Sequence, residues 1–160
     1  VAKDEALREH LLELLRGGSA HITFDDVIKD FPVAAINGRV APIPYTPWQV
    51  LEHMRIAQLD ILEFCRDATA HVSPPWPEGY WPEPAAEADE AAWRASVAAF
   101  NDDYERVVRL VNDPATDLYA RVPDGQGQTF LREVLLVADH NAYHLGVLAT
   151  LKRLLTKQTE

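Results

Sequence analysis

The chain of 160 residues predicts an all-α fold, a four-helix bundle with long connections and a short extra helix. Three observations point there. Four long stretches repeat apolar residues at three-and-four spacing, the period of a helix with one buried face. No stretch of any length alternates apolar and polar residues as a half-buried strand would. Proline- and glycine-rich segments stand between the helical stretches and break regular structure.

The elements follow in order. The first long helix covers residues 4–16, with Leu7, Leu11, Leu14 and Leu15 on one stripe, and Gly17-Gly18 ends it. Thr23 opens a short turn of helix, with Asp26 at capping-box-like spacing. Residues 31–45 read as an ordered loop, because Phe31-Pro32, Asn37-Gly38, Pro42 and Pro44 interrupt any regular element. Thr46 as N-cap and Pro47 at the first helical position begin the second long helix, expected to continue to about Ala70. Leu51, Met54, Leu59, Ile61, Leu62 and Phe64 make it broadly apolar and hence well buried.

Residues 71–85 carry five prolines. An extended path of about 3.1 Å per residue lets them cover roughly 45 Å, against about 36 Å for a helix of about 24 residues. The third long helix therefore need not return antiparallel beside the second. Trp76, Tyr80 and Trp81 are expected to pin this segment onto the bundle. The third long helix covers residues 86–112, with Trp93, Val97, Phe100, Tyr104, Val108 and Val111 in register, and Asp113-Pro114 ends it. A polar loop with Gly125 and Gly127 leads to the fourth, from near Thr129 to about Lys157. No internal repeat is evident, and the expectation is one domain over residues 1–160.

Bulk composition narrows the function classes. Apolar residues make up 48% and charged residues 25%, ordinary for a globular domain. No apolar run reaches the length a bilayer needs, and no basic-then-apolar leader is visible. The formal charge of −10 repels phosphate backbones, which argues against a nucleic-acid partner. The single cysteine, Cys65, excludes an internal disulfide and a cysteine-rich zinc site. It falls in an apolar helical stretch, where a buried inert thiol is expected, and the reducing cytoplasm is the expected compartment.

The chemistry sits in histidines. His140 and His144 lie one helical turn apart, so both imidazoles can aim at one point. They occupy the middle of an apolar stripe running Phe130, Val134, Val137, His140, His144, Val147, Leu151, Leu154. Burying a bare imidazole costs about 1–3 kcal/mol if its nitrogens find no partner, so something compensates. The residue after the first histidine is Asn141 rather than Glu, which rules out the HExxH protease pattern. His53, in the second long helix, shares a face with Ile56, Ala57 and Phe64 and is expected to point inward too. Three imidazoles from two helices can hold one divalent ion and leave coordination positions open, the layout of a catalytic rather than a structural site. A hydrogen-bonded core network is the alternative without an ion. His10 is expected to be solvated, and His21 and His71 to serve as caps or surface groups, with His21 a lesser candidate for the mouth of the site.

Two motifs carry a family resemblance: Trp48-Gln-Val-Leu-Glu-His53 near the start of the second long helix, and Asp139-His140-Asn-Ala-Tyr-His144-Leu-Gly146 in the fourth. With them, and with its Pro/Trp/Tyr connection, the chain resembles the DinB/YfiT-like superfamily of candidate metalloenzymes. The resemblance implies a four-helix bundle with a three-histidine site for nickel, zinc or a similar divalent transition metal. His53, His140 and His144 stand at the matching positions. It further implies a thiol-dependent transferase or isomerase acting on a small electrophile with a low-molecular-weight thiol, and a homodimer. On such a site a thiol or water would lose its proton near neutral pH. Asp139, Glu52 and Asp60 are candidates to orient the imidazoles or move protons, against the plainer role of solvated surface groups. A non-catalytic metal-binding or stress-related interaction protein is the other reading.

Overall fold

The computed structural model describes residues 2–157; Val1 and residues 158–160, the two ends of the expected domain, lie outside the described residues. It contains α1 (Ala2–Arg16), α2 (Phe24–Ile28), α3 (Pro47–Arg66), α4 (Glu90–Asn112) and α5 (Phe130–Thr156). The four long helices expected from periodicity are α1, α3, α4 and α5, and α2 is the short extra one. Among the described residues there is no strand, only one isolated bridge between Arg121 and Thr129.

Local chemistry fixes the helix ends. Thr46 and Gln49 form a full capping box at the start of α3, with Pro47 in the first turn. Thr129 caps α5 by accepting from the Arg132 amide. Two ends differ from the sequence expectation. α3 stops at Arg66 rather than Ala70, because the Asp67 carboxylate accepts from the Thr69 and Ala70 amides and closes a competing turn. α4 starts at Glu90 rather than Ala86. Asp89 caps it through the Ala92 amide, and the Ala88 amide is held outside the helix by Asn37 Oδ1. After α1 the chain turns through Gly17 at φ +70°, where a Cβ would meet the His21 ring at 2.8 Å.

α3 packs against α4 and α5, and α1 sits across from α3 against the same two helices. Pairings along the axis give the directions. Trp48 Nε1 donates to Ser96 Oγ, Gln58 Nε2 to the Phe100 carbonyl, and Arg106 pairs with Glu63. α3 and α4 therefore run parallel, and the proline-rich connection travels back along the bundle. α5 runs antiparallel to α3, since His53 meets His144, Gln58 meets Asn141 and Leu62 packs with Val137. Residues of all four long helices meet where Leu15 packs against Leu62, Val107 and Val137.

The larger core cluster joins Val50, Leu51, Met54, Trp93, Phe100, Leu145, Leu148 and Leu151 with Val27, Phe31 and Ile36 from the first connection. The 113–129 loop is less polar than its composition suggests: Leu118 and Val122 are buried, and Leu118 packs with Leu11, Val111 and Val134. Leu154, expected on the core stripe of α5, is exposed, and Leu148 takes a fully buried place instead. Among the described residues no helix is long and apolar enough to cross a membrane.

Candidate metal centre

His53 projects from the second turn of α3 and is buried, while His140 and His144 project from the middle of α5 and are partly buried. The antiparallel register of α3 and α5 brings the three rings together. His53 Nε2 lies 3.0 Å from His140 Nε2 and 3.1 Å from His144 Nε2. The ring centroids are 4.8, 4.4 and 4.5 Å apart for the pairs 53–140, 53–144 and 140–144. All three expected site residues thus converge, and among the described residues they form a group able to hold a metal ion.

The environment of His53 fixes its tautomer. Its Nδ1 lies 2.8 Å from the Tyr80 carbonyl oxygen, which can only accept, so Nδ1 carries the proton and Nε2 presents a lone pair. That single lone pair faces two other imidazole nitrogens, and one ring-plane lone pair cannot serve two donors well. A hydrogen-bonded network of three imidazoles is therefore poorly satisfied here. One ion is a better partner. Two ligands bound at about 2.0–2.1 Å lie about 2.9–3.4 Å apart for angles between octahedral and tetrahedral; the two separations from His53 fall in that range, and all three ligand atoms lie within 4.8 Å of one another.

Protonation agrees. Burial, together with the neighbouring imidazoles, pushes His140 and His144 down to about 4. Burial also lowers His53, partly opposed by its bond to the Tyr80 carbonyl. All three rings are neutral near pH 7, the state in which imidazole binds a metal.

Aromatic residues surround the cluster. Trp81 stacks on His53 at 3.8 Å with 3° between planes, and on Tyr45 at 3.8 Å. Tyr143 meets His144 edge-on at 4.8 Å and is 70% exposed, so this flank reaches solvent. Trp81 and Tyr80 fulfil the expectation that the linker is pinned down. Trp76 does not: it is 76% exposed and touches only the edge of Tyr80 among its ring contacts.

The acidic candidates separate. Asp139 is exposed on α5. Glu52 is bound by Arg55 on its own helix. Only Asp60 connects to the site, through a residue the sequence reading assigned to the linker. Its Oδ2 accepts from the Tyr80 hydroxyl at 2.7 Å and its Oδ1 from His71 Nε2 at 2.6 Å. His71 is thus not a surface group but part of a half-buried clasp. His10 is exposed beside Glu13, as expected.

His21 lines a different space. A cavity of about 620 Å³ lies among α1, α2, α4 and α5, bordered by Leu15, Phe24, Phe100, Tyr104 and Asn141. None of the three clustered histidines borders it. Its α5 wall is Ala138, Asn141, Ala142 and Leu145, turned by about 130° around the helix from the histidine pair at 100° per residue.

No curated protein and no solved structure matches the chain. The family comparison does match, and over most of the length: residues 20–148 fit the DinB superfamily, a span that contains all three histidines, the whole of α3 and the part of α5 that carries His140 and His144. With most of its length and all three clustered histidines inside that match, the chain belongs to the DinB superfamily.

Proposed function

We propose that His53, His140 and His144 bind one divalent transition metal, nickel or zinc by family resemblance, and that the chain is a metal-dependent enzyme. The reaction class proposed is transfer of a low-molecular-weight thiol to a small electrophile, or isomerisation assisted by such a thiol. The observation that carries the metal reading is the convergence of two imidazole nitrogens on the one lone pair of His53, at 3.0 and 3.1 Å. An ion held by the three neutral imidazoles would supply Lewis acidity, lowering the pKa of a thiol or water beside it. The chain's own residues prepare the site. Tyr80 holds His53 in the ligating tautomer, Trp81 covers its ring face, and the Tyr143 flank leaves a way in from solvent.

Elemental analysis of untagged, natively purified protein tests this. Stoichiometric transition metal is expected, and it should be lost in His53→Ala, His140→Ala and His144→Ala. Metal content unchanged in all three variants overturns the site. A panel of bacterial thiols with electrophiles then tests the reaction class.

One observation favours a second reading, metal binding without catalysis. The 620 Å³ cavity, of a size that suits a small-molecule ligand, is not bordered by the histidines. Metal retention with no turnover on any thiol would select that reading.

A further inference from the structure

We propose that Asp60 is a positioning residue for the metal centre, acting through Tyr80 to fix the orientation and tautomer of His53. The inference rests on the metal-site reading above and extends it to a residue that touches none of the three histidines.

Asp60 lies seven residues after His53 on α3, two helical turns on, which puts both side chains on nearly the same face about 10 Å apart. The linker fills that interval. The Asp60 side chain is 14% exposed, and each oxygen has its own donor: Oδ1 takes His71 Nε2 and Oδ2 takes the Tyr80 hydroxyl. Tyr80 is therefore gripped at both ends. Its hydroxyl is tied to Asp60, and its carbonyl receives Nδ1–H of His53. The next residue, Trp81, lies flat on the His53 ring. One anchored tyrosine thus sets both constraints on His53: the acceptor in the plane of the ring and the indole on its face.

Carboxylates near metal-binding histidines commonly bond the imidazole directly. Here a backbone carbonyl occupies that place, and the carboxylate holds the carbonyl's residue instead. Without the Asp60 tether neither the Tyr80 nor the His71 side chain is bonded to α3, and what keeps the Tyr80 carbonyl against His53 is the Trp81 stack and the Gln49 amide, which donates to the Glu83 and Pro84 carbonyls further along. His53 would then sample both tautomers, and in one of them Nε2 carries a proton and cannot ligate.

The test uses Asp60→Ala and Tyr80→Phe in the full chain, freed of metal by chelator. Tyr80→Phe keeps the ring and the carbonyl and removes only the tether, so it serves even if Asp60→Ala does not fold. Proton–nitrogen correlation spectra of the imidazoles report the His53 tautomer. Wild type is expected to show Nδ1–H alone, and both variants a mixture. Cobalt(II) titration against a competing chelator is expected to give about 10–100-fold weaker binding in Asp60→Ala, the usual cost of losing an outer partner of a ligand, and a smaller loss in Tyr80→Phe. A folded variant with the His53 tautomer unchanged and cobalt affinity within about twofold of wild type overturns the proposal. If wild type itself binds no cobalt, the metal reading fails, and the tautomer spectra still decide whether Asp60 positions His53.

Discussion

A relay of amides locks the register that brings the histidines together, and its energetics can be worked from the bonds themselves. The Phe100 carbonyl can only accept, so the Gln58 amide must turn its NH2 toward it, at 2.8 Å. The Gln58 oxygen then faces Asn141, whose Nδ2 donates to it at 2.8 Å. Asn141 Oδ1 is left buried with no partner. Gln58→Met conserves bulk but orphans the Asn141 amide and removes a bond to Phe100. One newly unpaired buried donor costs about 1–3 kcal/mol and the lost bond about 1 more, so about 2–4 kcal/mol is expected. Asn141→Leu strands the Gln58 oxygen but removes the orphaned Asn141 oxygen, so its net cost is about 0–2 kcal/mol. The double variant leaves no stranded amide and should be more stable than the two single effects predict, by about 1–3 kcal/mol of coupling. Urea unfolding of metal-free protein is the assay, since a bound ion would add its own stabilisation. Effects that sum to within about 0.5 kcal/mol would refute the relay.

Acidification and thiol chemistry give further checks. His140 and His144 titrate at about 4 in the folded chain against 6.5 as their ordinary value. Between those limits the unfolded chain binds protons the folded one does not, so the stability these groups contribute is full above pH 6.5 and falls as pH drops toward 4. Unfolding of metal-free protein across that window should show the decline, and it should flatten in a His140→Ala, His144→Ala double variant; an equal slope in both proteins contradicts the assignment. Burial pushes the Cys65 thiol up to about 12, with the nearby Glu133 charge adding to the effect. A thiol reagent at pH 8 should leave native protein untouched and label one site per chain after unfolding, whereas rapid labelling of native protein would show that Cys65 is reachable.

Much of the fold was legible because it is local. Apolar period, the Thr46 cap and the Gly17-Gly18 stop are written within a few residues of where they act. Helix ends were missed where a side chain competed for backbone amides: Asp67 ends α3 early, and Asn37, some 50 residues away, holds Ala88 out of α4. The expected cap or surface role of His71 failed for a similar reason, since its partner Asp60 sits on a helix and nothing nearby in sequence announces the pairing.

By itself the sequence determined that His140 and His144 share a helix face, because four residues at about 100° each bring a helix once round and only about 40° beyond. It also placed His53 on the inward side of its own helix. Only the tertiary structure decided that these faces meet. The long proline-rich connection lets α4 run parallel to α3, which leaves α5 to pack antiparallel against α3 with His53 level with His140 and His144. The clasp of Asp60, Tyr80 and His53 was likewise decided in space, by a linker whose reach could be measured from its prolines but whose landing point depends on which side chains it meets along α3.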